Sequence, residues 1–278
     1  FINNNFNKLK SKVTPHVGSN NVLIKKNHYL FQGIDNNSLF YFLHSYCLSE
    51  ISGQYVVAET EYEENFISVF DILNNIRIFN EKNVDEIVVL DIDASLNSYE
   101  PRLELIKNIA SVCRMPITYG GGVKDSDMAK KIISLGVEKI CLNSVVRINP
   151  HLIKEISKEI GSQSLSVSIN FKAIDAEYYL VDNIGKKIEK NIFDFTTEIQ
   201  NYGAGEIIFN SYNDDGKMSG YDLNFLDKIM NFVNIPSIII GGCSSHEDIR
   251  KLFLNQKNIA AGCSSIFIFK GKFKAVLL

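Results

Sequence analysis

Between residues 86 and 269 short apolar runs recur, each closed by a glycine or a small polar residue, and amphipathic stretches separate them. The runs are EIVVLDI (86–92), PITYGGG (116–122), KICLNS (139–144), SLSVSIN (164–170), EIIFNS (206–211), PSIIIGG (236–242) and SSIFIF (264–269). A strand covered on both faces shows no polar alternation, so these runs read as buried parallel strands. Between them, DSDMAKKIISLG (125–136) and PHLIKEISKEIG (150–161) repeat apolar positions every three or four residues, as helices packed on a sheet do. Strands alternating with helices admit two architectures, a barrel or a doubly wound sheet.

The placement of polar residues decides between them. Nearly every run ends in Asp91, Gly120, Asn143, Asn170, Asn210 or Gly241. In a barrel the carboxyl ends of all strands line one functional face, whereas a doubly wound sheet concentrates function in one crevice. The expected fold class is therefore α/β, a (β/α)8 TIM-type barrel over residues 71–278. Residues 1–70 lack the alternation: an Asn-rich start is followed by LFYFLHSY (39–46) and QYVVAET (54–60), which predict a small β-rich segment ending at Phe70 and Asp71.

An apolar content of 45% is ordinary for a globular core, and a net charge of -3 with mixed signs offers no stripe for nucleic acid and no polybasic membrane patch. No apolar run reaches transmembrane length and no secretory leader is evident, so a cytoplasmic location is expected. The five cysteines, Cys47, Cys113, Cys141, Cys243 and Cys263, are scattered and never in C-x-x-C spacing, which predicts neither a disulfide framework nor a metal site. No cofactor is expected.

Consecutive glycines after a strand let backbone N–H groups approach an anion closely. One such cradle would combine Gly121 and Gly122 with Asn143 and Ser144. A second would combine Asp215 and Gly216, in the loop NDDGKMSGYD (213–222), with Gly241, Gly242, Ser264 and Ser265. A single glycine pair also fits a tight strand-to-helix turn, but repetition half a barrel apart points to a substrate with a phosphate at each end.

The same stretches carry a family likeness. VDEIVVLDIDAS, PITYGGGVKDSDMAKKIISLGVEKICLNS, GSQSLSVSIN, YGAGEIIFNSYNDDGKMSGYD and IPSIIIGG resemble, in order, the cyclase subunit of imidazole glycerol phosphate synthase, over residues 71–278. The resemblance implies a lyase-type step of histidine biosynthesis: ammonia from a glutaminase subunit crosses the barrel and closes an imidazole ring on a bisphosphorylated precursor. It also implies that Glu86, Lys139 and Glu206, at strand starts, belong to a charged ring gating the ammonia entrance. TPHVGSN (14–20) and SLFYFLHSY (38–46) resemble the distal part of a class I glutaminase, making residues 1–70 a partial glutaminase-like segment in which His16 and His44 are interface or structural residues.

Two departures stand against full activity. The family's two catalytic positions are aspartates, and one of them is Asn170 here; an amide cannot exchange a proton near neutral pH. The first barrel strand, with the other aspartate, has no counterpart, because the glutaminase-like stretch passes directly into DILNNIRIFNEKNVDEI. The glutaminase nucleophile would lie before Phe1; its His-x-Glu pair and the first barrel strand fall in one gap, for which an internal deletion, real or from sequence assembly, is the simplest history. Asp91 is the remaining carboxylate at a strand end. Whether the chain is an enzyme is thus left open by its sequence: the readings are an impaired cyclase-like barrel, a paralogue delivering ammonia to a sugar amidotransferase for acetamidino groups on surface polysaccharide, or a non-catalytic remnant.

Overall fold

The computed structural model describes residues 5–8, 16–27, 31, 34–44, 46–50, 56–62, 64–70, 76, 79–91, 94, 99–175, 177–270 and 275–276. The chain divides into two compact units, one formed by residues 1–82 with 267–278 and the other by 83–266. This division by contacts falls after Lys82, and the last residues join the first unit.

In the first unit, β1 (Asn5–Lys8), β2 (His16–Ile24), β3 (Ser38–His44), β4 (Tyr46–Glu50), β5 (Val56–Tyr62) and β6 (Glu64–Phe70) form an antiparallel sheet in the order β1-β4-β6-β5-β2-β3. Its small core gathers Val22, Phe31, Val57 and Ala58. His16 and His44 are cross-strand partners of β2 and β3. The segment FISVF (66–70) lies in β6, paired with β5 and β4, so it does not supply an eighth strand to the parallel sheet.

The second unit contains the alternation read from the sequence. Its parallel strands are β7 (Ile87–Leu90), β8 (Ile117–Gly120), β9 (Lys139–Leu142), β10 (Leu165–Ile174), β12 (Glu206–Ser211), β13 (Ser237–Ile240) and β14 (Ile259–Ala261). They form a TIM-type barrel sheet in which each strand pairs with the next along the chain, from β7 to β14, with helices between. Among the described residues β7 and β14 do not pair with each other. The central strands are buried on both faces, while β7, at one end, is only partly covered.

Two expectations need correction. SSIFIF (264–269) is not the last barrel strand: Ser265–Ile268 is a short helix, Phe269–Lys270 pairs antiparallel with Ala275–Val276 in the first unit, and the barrel strand is the earlier Ile259–Ala261. The run IAA is too short to stand out beside SSIFIF, and only its pairing with β13 identifies it. The run SLSVSIN also continues to Ile174 and turns at Asp175, which takes a left-handed φ of 51°, into the antiparallel strand β11 (Glu177–Leu180).

Local chemistry fixes the helices that set strand spacing. Asp125, Asn191, Asp222 and Ser245 each cap the following helix by accepting a backbone N–H with a side-chain oxygen. Outside the sheet, Phe225 from helix Leu223–Ile229 stacks on Phe171 with ring centroids 3.6 Å apart and meets Phe209 edge-on. All three rings are fully buried, which ties that helix to β10 and β12.

Candidate functional site

At the carboxyl ends of the central strands the structure gathers four amides. Asn170 is 8% exposed, and its Oδ1 accepts from Asn210 Nδ2 at 3.2 Å and from Asn143 Nδ2 at 3.5 Å, while its Nδ2 donates to Asn183 Oδ1 at 3.3 Å. Asn143 Nδ2 also donates to the Ser168 carbonyl. Asn143 Oδ1 and Asn210 Oδ1 are buried without a protein partner, leaving two acceptors at the strand ends. A buried acceptor without a partner costs free energy, so a donor from a bound molecule would be favoured there. Nothing in this group exchanges protons near neutral pH. Asn183 was not foreseen from the sequence; it follows the β10–β11 hairpin, which carried no apolar-run signal.

Asp91, the other catalytic candidate, is engaged. Its Oδ1 accepts from the Ala94 N–H, and its Oδ2 pairs with Arg102 at 3.1 Å, the carboxylate side chain being 9% exposed. Beside it the Tyr119 hydroxyl is buried with no partner, and burial, reinforced by the Asp91 charge, raises its pKa above the usual range. Arg102 was also missed, since a lone arginine eleven residues from Asp91 carries no pattern.

The residues of the first anticipated cradle come into place around two turns. Gly122 takes a φ of 71°, and a Cβ there would sit 2.7 Å from the Tyr99 carbonyl oxygen. Gly121 likewise adopts a left-handed φ beside Asp91. The chain itself therefore demands glycine at this turn. Asn143 and Ser144 begin a helix of only five residues.

In the second anticipated cradle, Gly242 takes a φ of 94° and a Cβ would lie 2.0 Å from the Gly220 carbonyl oxygen, whose own N–H donates to the Gly242 carbonyl. Gly241 also takes a left-handed φ. Asp215 and Gly216 are exposed, and Gly216 has open space around it. Ser264 is exposed and Ser265 starts the short helix. At the start of helix His246–Asn255, Asp248 Oδ2 accepts from the Ser244 N–H and from the hydroxyls of Ser244 and Ser245. Burial would raise the Asp248 pKa, but these hydrogen bonds outweigh it and hold the pKa below its ordinary value. An internal carboxylate thus already uses donors of that helix start, and an anion would rely on the glycine turns.

The opposite ends of the strands hold a charged cluster. Lys139 Nζ lies 2.9 Å from Glu86 Oε2 and 2.8 Å from Glu206 Oε2. Ser166 Oγ donates to Glu206 at 2.6 Å and Thr118 Oγ1 donates to Glu86. The three residues named from the sequence are thus brought together, and Thr118 and Ser166, which were not named, complete the set. Polar residues inside apolar strands were their available signal. Beyond this cluster the sheet carries Cys141, Ile208 and Ile238, packed with Val88 and Ile240. Burial, with the Glu206 charge, pushes the Cys141 thiol up to about 12, so it is an inert apolar side chain here. A surface depression lined by Glu206, Pro236, Ser237, Lys257 and Asn258 adjoins the cluster. Among the described residues no group of three or more His, Cys, Asp or Glu side chains could hold a metal ion, and no helix is long and apolar enough to cross a membrane.

A parallel barrel sheet with a polar face at its strand carboxyl ends and a charged cluster at the other places the unit in the TIM-type α/β class. The chain belongs to the histidine biosynthesis protein family, whose model matches residues 46–274. It is 42% identical over 214 residues to a protein of Vibrio vulnificus provisionally named imidazole glycerol phosphate synthase subunit hisF3, covering 76% of this chain and 82% of that one. It is 43% identical to a provisionally named subunit HisF of Leptospira borgpetersenii, over 78% and 85% of the two chains. A Hydrogenobaculum protein named imidazole glycerol phosphate synthase subunit HisF is 34% identical, over 74% and 84%.

Proposed function

We propose that the barrel unit is cyclase-like: it takes ammonia produced by a glutaminase subunit, binds a small bisphosphorylated substrate at its strand carboxyl ends, and has lost most of the ring-closing step. The observation that carries this reading is the asparagine at position 170, buried and held by three other amides at the centre of the polar face. Ring closure needs a proton removed and a proton given, and one positioned acid or base is typically worth about 10²- to 10⁴-fold. Asn170 can hold a substrate group by hydrogen bonding but cannot perform either transfer. Gly121, Gly122, Asn143 and Ser144 would receive one phosphate, and Gly241, Gly242 and Ser264, with Asp215 and Gly216 beside them, the other.

The cluster of Glu86, Lys139 and Glu206 supports ammonia entry at the opposite end. It also favours a second reading. If the entry cluster persists while the chemical face carries an amide, the barrel can serve as a conduit delivering ammonia to a separate sugar amidotransferase. Calorimetric titration with the bisphosphorylated aminoimidazole ribonucleotide of the cyclase reaction tests the first reading. We expect one ligand per chain, with affinity falling as salt rises. No heat at millimolar ligand would remove the substrate-binding claim and leave the conduit reading.

A further inference from the structure

We propose that Cys243 and Cys263 form a reversible disulfide joining the turn after β13 to the turn after β14. The two sulfurs lie 3.1 Å apart, although twenty residues separate them in sequence. The strands that carry them are paired in parallel, Ile239 opposite Ala261. Adjacent strands run about 4.8 Å apart, so residues just beyond their ends fall within the backbone separation a disulfide spans. Closing the sulfurs to about 2.0 Å asks for a shift of about 1 Å, within reach of side-chain rotation.

The surroundings favour reaction. Tyr221 Oη is 2.9 Å from Cys263 Sγ and donates to the Gly262 carbonyl. The Cys263 thiol donates to Cys243 Sγ and stabilises a Cys243 thiolate against burial, bringing its pKa down to about 7, and the same contact holds Cys263 as the thiol, above its ordinary range. Cys243 is buried and Cys263 partly exposed, so an oxidant would approach the pair from the Cys263 side. Cys113 and Cys141 lack this setting, since burial raises the pKa of both.

With hydrogen peroxide as oxidant the electrons balance. The Cys243 thiolate attacks one peroxide oxygen, forming S–O as O–O breaks, and the departing hydroxide takes a proton to become water. Cys263 sulfur then attacks Cys243 sulfur, forming S–S as S–O breaks, and the leaving hydroxide takes the Cys263 proton as a second water. Two thiols are oxidised and one peroxide is reduced. The bond fixes the spacing of the Gly241–Gly242 and Gly262–Ser264 turns, and its effect on anions rests on the cradle reading above.

The test uses the whole chain. After treatment with stoichiometric hydrogen peroxide, peptide mapping without reductant should find the Cys243 and Cys263 peptides linked, and dithiothreitol should release them. The linked chain should melt about 5–10 °C higher, as expected for a closed loop of this length in a unit of this size. Cys263→Ala and, separately, Cys243→Ala should each abolish the linkage, and the half-exposed Cys263 position makes its variant the safer to fold. Two unlinked peptides, or oxidation stopping at sulfinic acid, would overturn the proposal. Inorganic phosphate is then titrated into reduced and oxidised chain. Weaker binding after oxidation supports the coupling, and equal binding overturns it. Absence of binding in both forms removes the coupling with the cradle reading, while a linkage found by mapping would still stand.

Discussion

Replacing Lys139 with methionine removes the cation shared by Glu86 and Glu206 while preserving the bulk of the stem. The magnitude follows from the burial. Lys139 is 22% exposed, Glu86 24% and Glu206 11%, and both contacts are under 3 Å. Breaking a fully buried pair costs about 3–5 kcal/mol, and an exposed pair about 0–1 kcal/mol. Ser166 and Thr118 continue to donate to the stranded carboxylates, so the expected loss is about 2–3 kcal/mol. In a unit of this size that is about 5–10 °C of melting temperature, read by circular dichroism with a parallel urea titration. Adding Glu86→Gln and Glu206→Gln should return most of the loss, because the uncompensated charges go with the cation. The difference between parent and variant also has a pH signature. Burial pulls the Lys139 pKa down, but hydrogen bonds to Glu206 and Glu86 outweigh it and hold the folded pKa above 10.5. A raised cation pKa contributes stability below the unfolded value and loses it as pH climbs through the folded one. The gap should therefore stay constant from neutral pH to about 10 and narrow above it. A single variant within about 0.5 kcal/mol of the parent, the usual scatter of an inert surface substitution, would refute the reasoning.

The glycine turns predict a graded series. Gly216→Ala meets open space and should cost about 1 kcal/mol for its left-handed φ, whereas Gly242→Ala drives a Cβ onto the Gly220 carbonyl and should cost about 3 kcal/mol or more, both read in urea. Phe225→Ala, which empties the ring stacked on Phe171, should cost about 3–5 kcal/mol in the same assay. Asn170→Asp should stay folded, since Asn143 and Asn210 already donate to that position and the Asn183 amide can rotate to donate as well, yet it should show no turnover. Measurable turnover by that variant alone would mean that a second acid or base is present.

Much of the barrel was legible because buried parallel strands announce themselves as unbroken apolar runs. Six runs of that kind correspond to β7, β8, β9, β10, β12 and β13. The seventh failed for a physical reason: SSIFIF is more apolar than NIAAG, but strand identity at this end is set by pairing with β13, which composition does not encode. At the site, Glu86, Lys139 and Glu206 could be named because they stand at strand starts inside the stretch that carries the family resemblance. Their hydroxyl partners Thr118 and Ser166, the fourth amide Asn183, and Arg102 against Asp91 join through space. The neighbouring thiols of Cys243 and Cys263 were invisible for the same reason, having no C-x-x-C spacing to mark them. The glycines carry a further lesson. Gly122 and Gly242 are required by the chain's own carbonyl groups, so their presence after strands supports an anion site less strongly than their repetition suggested.

The central claim, that the polar face has kept binding groups and lost its acid and base, is tested most directly by single-chain turnover with ammonium supplied in place of a glutaminase. Substrate absorbance would be followed at saturating bisphosphorylated aminoimidazole ribonucleotide, with binding verified by calorimetry in the same preparation. Binding without turnover is expected of the unmodified chain, because the residue at the centre of the face is Asn170 and the carboxylate of Asp91 is tied to Arg102. Steady ring closure by the unmodified chain would contradict it.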